Sequence, residues 1–408
     1  ILFLGVSRRI DSRGNKTTGG LWVIPRGGGQ AIHVEVDPAI QSIARATDVS
    51  LQAWVPGDVV IAQRQVQGRT DIFKGRLTRD PWKLIRAEQL TSGTGSAAHP
   101  SIARDGTMVL SSEDSDLDLW SLPYDADRGH PAGEPRRLTQ DAAWEAYPSI
   151  SVDGSRLTYS SEQGNKSQIW AMDLPAGTAR RLTSSPDYNF RPVISAGGSR
   201  IAYTVRRDEG EWRNFVIDAS GGPPRRVAGA VLFAWDWAPD DRSLLVFGRT
   251  RPVSVRLITL DPPSDIPFAQ LPRSVLQSHI SHDGHWAAIQ ESGVGVLIAP
   301  MSGGKPPAPE DWKPLGLTNA DLIRWSPDDN TLYFISSRDS FRCVWAQRLN
   351  PKSKAIAGEP FPVAHFHQAR RSLRVIDTGL IGLAVARDKI VLSEIERTGN
   401  IWKSKLSR

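Results

Sequence analysis

The sequence predicts an all-β protein, a propeller of four-stranded blades, and three observations carry that expectation. A turn pair recurs at Asp105-Gly106, Asp153-Gly154, Gly197-Gly198, Asp240-Asp241, Asp283-Gly284 and Asp328-Asp329, at intervals of 43 to 48 residues, which is the period of a propeller blade. Each turn lies between a short apolar stretch and an alternating one, the period-two pattern of a half-buried strand. A third stretch after each turn ends on an aromatic residue.

The first strand of each copy reads PSIAR, PSISV, PVISA, AWDWA, SHISH or LIRWS, and the second reads RLTYSS, RIAYTV or TLYFISS. The Asp-Gly or Gly-Gly pair between them supplies the positive φ that a two-residue hairpin needs. DLDLWSL, KSQIWAM and RCVWAQ carry the third strand to Trp120, Trp170 and Trp345, with Phe73 and Trp402 in the same role. A fourth strand carries RRLT, at Leu138-Thr139 and Leu182-Thr183, with Leu90-Thr91 and Leu317-Thr318 equivalent.

Seven such copies fill residues 49–368, from Val49 to Gln368. Ahead of them, ILFLGV, GGLWVIP and QAIHVEV read as the last three strands of an incomplete first blade within residues 1–48, and Pro38 to Thr47 as a short inserted helix. Behind them, LIGLAVA, KIVLSEI and NIWKSKL read as closing strands within residues 369–408. Pairing strands from the two chain ends removes exposed sheet edges. The expectation is one propeller over residues 1–408 with eight blades; seven is the alternative, because six terminal strands exceed one blade.

Composition narrows the function classes. With 39% hydrophobic and 23% charged residues the chain is ordinary globular protein. It has no apolar run of membrane-spanning length, and ILFLGVSRR turns charged too early for a signal peptide. It opens on Ile1, inside a strand, which suggests a piece of a longer polypeptide whose export signal, anchor or partner domain lies upstream. The net charge of +6 is scattered in pairs such as Arg8-Arg9 and Arg225-Arg226, so no nucleic-acid partner is predicted. Cys343 is the single cysteine, which excludes an internal disulfide and a multi-cysteine zinc site.

The phrases YPSISVDGSRLTYSS, QIWAMDL and RRLT resemble the propeller repeats of TolB and of the amino-terminal propeller of dipeptidyl-peptidase-type enzymes. EQLTSGTGSAAHPSIARDG, LDLWSLPYDAD, RLTQDAAWEAYPS, VWAQRLNPKSKAIAGEPFPVAHFHQARRSL and VARDKIVLSEIERTGNIW look like the carboxy-terminal propeller of bacterial, especially acidobacterial, proteins. There the propeller follows a winged-helix transcriptional regulator or a serine/threonine kinase domain, usually across a membrane helix. The resemblance implies a non-catalytic sensor or interaction module on the periplasmic or extracytoplasmic side, with the cytoplasm as the other compartment. Its partner would be a protein, a peptide or a small ligand, without a cofactor and with membrane contact only through a missing anchor. Two other readings are a substrate-gating propeller of a peptidase-like hydrolase whose catalytic domain is absent, and a TolB-like periplasmic scaffold that binds a peptide.

No catalytic residue is assigned. The G-x-S-x-G elbow of a serine hydrolase does not occur. Asp114, Asp116 and Asp118 alternate and offer the oxygens that calcium wants, but they lack the Gly and distal Glu of an EF-hand and read as a solvated hairpin loop. His365 and His367 form a polar cluster with Arg370 and Arg371; H-x-H puts both imidazoles on one side of a strand, yet without visible carboxylate or cysteine partners they fall short of a metal site, and none is assigned. The stronger expectation is a ligand or peptide site at the channel mouth. The repeats place His99, Tyr147 and Arg191 at one equivalent position, and Asp236, His279 and Arg324 two residues further on in later copies. Trp82, Trp144, Trp212 and Trp312 lie in connecting stretches and are the tryptophans to test as exposed contacts; the others read as blade packing.

Overall fold

The computed structural model describes residues 2–9, 16–40, 49–66, 69–92, 95–141, 143–163, 166–174, 176–207, 211–227, 231–248, 254–302, 306, 308–367, 371–373 and 381–406. Strands dominate, and the helical turns among the described residues are 3-10 turns at Pro38–Ile40 and Pro309–Asp311. The first starts the expected insertion helix, whose remaining residues lie outside the described ones. No helix among the described residues is long and apolar enough to cross a membrane. Two compact units divide the chain: Ile1–Ser115 with Arg397–Arg408, and Asp116–Glu396.

The first unit begins with β1 (Leu2–Arg9), β2 (Lys16–Val23) and β3 (Ile32–Val36), then β4 (Val49–Val55), β5 (Val59–Val66), β6 (Arg69–Thr78) and β7 (Lys83–Gln89). They form one sheet in the order β1-β2-β3-β7-β6-β5-β4, joined by a parallel pairing of Glu35 with Lys83 and Val36 with Leu84. Both expected strand sets, the incomplete first copy and the copy from Val49, are therefore present. Leu21, Val34, Val60, Leu77 and Leu84 form the core of this sheet. β8 (Ser96–Ile102) pairs with the first part of β9 (Thr107–Asp125).

In the second unit the remainder of β9 is flanked by β10 (His130–Pro131) and β11 (Arg136–Arg137). Five four-stranded antiparallel sheets follow, each from one continuous stretch of chain. The first has β12 (Trp144–Ile150), β13 (Arg156–Gln163), β14 (Lys166–Asp173) and β15 (Thr178–Arg181); the second has β16 (Tyr188–Ile194), β17 (Arg200–Arg206), β18 (Trp212–Asp218) and β19 (Arg225–Arg226). The third has β20 (Val231–Trp237), β21 (Ser243–Gly248), β22 (Val255–Leu260) and β23 (Pro263–Ala269). β24 (Val275–Ile280), β25 (Trp286–Glu291), β26 (Gly295–Pro300) and β27 (Lys313–Pro314) make the fourth; β28 (Asp321–Trp325), β29 (Thr331–Ser336), β30 (Cys343–Arg348) and β31 (Phe361–Ala364) make the fifth. The chain then adds β32 (Arg371–Ser372), β33 (Leu383–Val385) and β34 (Lys389–Lys405).

The inner strands β12, β16, β20, β24, β28 and β33 abut one another in that order, and β33 returns to β12. This closes a propeller ring. Its sixth blade takes β33 and the first part of β34 from the carboxy-terminal side, and the second part of β9 with its flanking strands from the amino-terminal side. Where the sequence reading counts eight blades in a ring, this unit closes with six.

The difference traces to two neighbouring strands. SSEDSDLDLW and SEIERTGNIW read as hairpins, yet β9 and β34 run through them unbroken and lie side by side in one sheet. Two long neighbours satisfy each other's backbone groups, so neither needs to turn back to do so. Asp114 to Asp118 are consequently strand residues rather than a solvated loop. Asp118 is fully buried, where its carboxylate meets Arg137 and accepts a hydrogen bond from the Thr139 hydroxyl at 3.2 Å.

The recurring Ser, Asp and Thr of the copies build scaffold. The Ser151 hydroxyl donates to Asp153 Oδ1 (2.5 Å) and accepts from the Arg156 N–H (3.0 Å). Ser281 and Ser326 repeat the pattern with Asp283 and Asp328, each clamping a hairpin whose next residue takes positive φ: Gly154, Gly284 or Asp329. Thr183 of the RRLT phrase accepts from the Ile169 N–H at 2.9 Å, as Thr139 does from Leu119 and Thr91 from Ile72. Trp237, Trp325 and Trp312 are buried, whereas Trp144 and Trp402 are exposed. Of the four tryptophans singled out for exposure, only Trp144 meets it; Trp82 packs edge-on to Trp54, and Trp212 against Phe190 and Phe233.

Candidate functional site

The channel mouth of the six-bladed ring is built on a repeated irregularity. β12 and β16 each shift register, between Ala146 and Ser149 and between Phe190 and Val193. At these bulges Tyr147 and Arg191 take positive φ, 55° and 52°. Each is followed by proline, whose missing N–H suits a place where the ladder is broken. β28 bulges alike at Leu322, φ 52°, so the position that holds Tyr147 and Arg191 holds an apolar residue there. His99 has the same conformation, φ 52°, but lies on β8 in the first unit, where Gln63 Oε1 accepts its backbone N–H at 2.9 Å.

A small cavity at the mouth is lined by Tyr147, Arg191, Trp235, Leu322, Arg324 and Ile381, among others. The Arg191 guanidinium stands 5.2 Å from the ring centre of Tyr147, 4.9 Å from Phe233 and 5.1 Å from Trp235. Trp235 in turn stacks on Phe247 at 5.2 Å. Cation–π contact of this kind holds a guanidinium without neutralising it. Among the described residues Arg191 has no carboxylate partner.

Further along the channel lies a cavity of about 90 Å³, reached by Ser149, Asp236, His279, His282 and Arg324. His279 Nδ1 lies 2.5 Å from Asp236 Oδ2, while its Nε2 meets Trp235 Nε1 at 3.2 Å and Arg324 Nη1 at 2.8 Å. Indole and guanidinium can only donate, so Nε2 accepts and Nδ1 carries the proton toward Asp236. Burial, then Arg324, lowers the His279 pKa, which agrees with a neutral ring. Burial works against ionised Asp236, but its contact with the His279 ring and the charge of Arg324 outweigh burial and lower its pKa. Burial likewise lowers that of Arg324. Arg324 also donates to its neighbour's carbonyl, Ile323 O, at 2.8 Å. Its other N–H groups make no hydrogen bond to the described residues.

This relay has the look of an Asp-His catalytic pair, and its bonding argues against that use. A general base must offer Nε2 to a nucleophile's proton, and here two donors already occupy it. His282 serves the scaffold: its Nδ1 is 2.8 Å from Asp329 Oδ1, and although burial opposes it, that contact raises its pKa.

The sequence positions thus divide. Tyr147, Arg191 and Arg324 meet at the mouth, Asp236 and His279 join Arg324 deeper in, and His99 belongs to the other unit. Repeat alignment could not find Trp235 and Phe233, because aromatic residues recur in every blade as packing. His365 and His367 come together with Asp339, whose Oδ2 lies 3.2 Å from His365 Nδ1 and 2.8 Å from His367 Nε2. Arg370 and the side chain of Arg371 lie outside the described residues; the Arg371 backbone pairs with Glu396.

The ring of four-stranded blades defines the class: an all-β propeller. Residues 129–266 match the TolB beta propeller domain family, in keeping with the propeller fold of the ring. No curated protein matches the sequence. Among solved structures the chain is similar to a putative TolB from Agrobacterium tumefaciens, with TM-score 0.53 and 13% identity over 70% of this chain and 99% of that one. It also aligns with TolB from Acinetobacter baumannii (TM-score 0.47, 12% identity, 84% and 82% of the two chains). A third is an oligogalacturonate lyase in complex with manganese (TM-score 0.42, 11% identity, 86% and 98%). Identities this low speak to fold alone.

Proposed function

We propose that the propeller is a non-catalytic binding module, taking an extended protein segment at the channel mouth and holding a carboxylate of that segment against Arg191 and Arg324. One observation carries this reading: two guanidinium groups line one small cavity, and Arg191 is held by three aromatic rings with no acid of its own among the described residues. Arginine is suited to carboxylate recognition because its planar fork makes paired, charge-assisted hydrogen bonds. Tyr147, Trp235 and Leu322 supply the apolar walls that an extended segment needs beside its charge. The engaged Nε2 of His279 favours binding over hydrolysis.

We further propose that the module serves as the sensing or protein-interaction part of a bacterial signalling protein and faces the extracytoplasmic side. The phrases shared with propellers carried by regulators and kinases support that placement. The test is binding of a set of acidic peptides with free carboxy termini, by calorimetry or anisotropy, against the same peptides amidated and neutralised. Arg191→Ala is expected to weaken the acidic set at least about tenfold, the loss of one charge-assisted pair, with the fold retained by circular dichroism. Equal binding by Arg191→Ala, indifference to peptide charge, or peptide turnover abolished by His279→Gln would each overturn the reading.

A further inference from the structure

One blade gathers a set of side chains that no part of the channel uses. Asp339 lies in the connection from β29 to β30, Cys343 opens β30, and His365 and His367 follow β31. One ligand atom from each of the four lies within 4.8 Å of the others. We propose that Asp339, Cys343, His365 and His367 form a binding site for a divalent transition cation of the zinc class.

The donor set sets the metal class. A thiolate and two imidazoles suit zinc and its softer neighbours, whereas calcium and magnesium want oxygen alone. One oxygen, one sulfur and two nitrogens also make the four ligands that tetrahedral zinc takes. With bonds of about 2.0 to 2.3 Å, the edges of such a tetrahedron are about 3.3 to 3.8 Å. The groups therefore have to draw in by about 1 Å, which the two exposed imidazoles and a loop carboxylate allow.

The surroundings fit ligands held in place. The Phe366 N–H donates to Cys343 Sγ at 3.4 Å, and the Phe341 N–H donates to Asp339 Oδ1 at 3.3 Å, which leaves Oδ2 to the histidines. The His367 ring lies on Phe341 at 4.4 Å between centres, and His365 stands edge-on to Trp345 at 6.0 Å. Between the two imidazoles, Phe366 points the other way and is buried. Outer contacts of this sort fix ring orientation and support metal affinity. The cation would displace the two Asp339–histidine hydrogen bonds and bridge the same groups.

The test uses the whole chain after chelator treatment, titrated with Co²⁺ as a spectroscopic probe and then with Zn²⁺. The expected result is one Co²⁺ per chain, a sulfur-to-cobalt charge-transfer absorption, and its loss as Zn²⁺ displaces Co²⁺. Cys343→Ser should abolish that absorption. Because Cys343 is buried, the surface variant His365→Gln/His367→Gln provides the check that does not disturb folding: its circular dichroism should match the parent and its Co²⁺ affinity should fall at least about tenfold. Failure of the folded parent to take up one equivalent, or undiminished uptake by the double variant, would overturn the site.

Discussion

Five blades of the ring and the sixth solve one structural problem in different ways. β12 to β15 come from one stretch, each strand beside its neighbour in sequence and the β12–β13 hairpin fixed by its own Ser-x-Asp clamp. The closing blade draws on residues some 260 positions apart, pairing β33 and β34 with β9. At its β33–β34 turn Ala386 stands where four of the local blades have Ser151, Ser195, Ser281 and Ser326, and where the blade of β20 to β23 has Ala238. Like the local blades, where Arg156 donates to Gly198 O at 2.7 Å, the closing blade is tied to its neighbours: Lys389 donates to Gly154 O at 3.1 Å, and Tyr333 donates to Ala126 O at 2.7 Å. Local blades are specified by short-range chemistry. The closing blade depends on fit between distant parts, the kind of contact that forms only after a large loop-closure cost.

The largest expected effect breaks that fit directly. A Cβ at Gly382 would sit 2.0 Å from Pro148 Cδ and 2.8 Å from its backbone nitrogen, at the joint between the closing blade and β12. Gly382→Ala should cost about 3 kcal/mol or more in urea unfolding, the upper end for an overpacked core. Gly177→Ala, in a turn at φ 69° with open space around it, should cost only about 1 kcal/mol. Equal midpoints for the two variants would show that the joint is not tightly fitted.

Next comes a buried acid beside the same joint. Glu145 on β12 is fully buried, and burial together with the nearby Asp141 carboxylate pushes its pKa up to about 9. In the unfolded chain it ionises near 4.5. The folded state therefore holds the extra proton, and this contribution to stability is full below pH 4.5 and is lost as pH rises toward 9. Glu145→Gln should flatten that decline and raise stability at pH 8 by about 1 to 3 kcal/mol. Parallel stability–pH curves for parent and variant would refute the assignment.

The smallest effect sharpens the comparison rather than breaking it. Thr183→Val removes an acceptor for the Ile169 N–H and a donor to Gln168 Oε1 at 2.8 Å, at about 1 kcal/mol. Thr139→Val, the same change in the closing blade, should cost more, because the buried Asp118 carboxylate loses a donor as well. The reverse order in thermal melts would mean that the two kinds of blade rely equally on their own hydrogen bonds.

What the sequence made legible follows from this division. Turn pairs, alternation and RRLT are short-range signals, and the five local blades appear where those signals placed them. Closure was not legible, because nothing within SSEDSDLDLW tells a hairpin from one long strand when the deciding partner, β34, lies near the other end of the chain. The mouth was half legible. Tyr147 and Arg191 stood out as unlike residues at one repeat position, but the aromatic cage around Arg191 uses residues indistinguishable from packing. Asp339 and Cys343 showed no spacing that ties them to His365 and His367; only the fold brings them together.

The bulge at Tyr147 and Arg191 also has a bearing on how such a module changes. A residue there sits outside the backbone ladder, and its positive φ is a conformational cost borne by side chains as unlike as these. Identity at that point is decoupled from strand pairing, and the three bulges already carry tyrosine, arginine and leucine. The ring therefore works as a fixed frame with exchangeable lettering: a substitution at a bulge changes the side chain presented at the mouth, while the propeller that presents it stays the same.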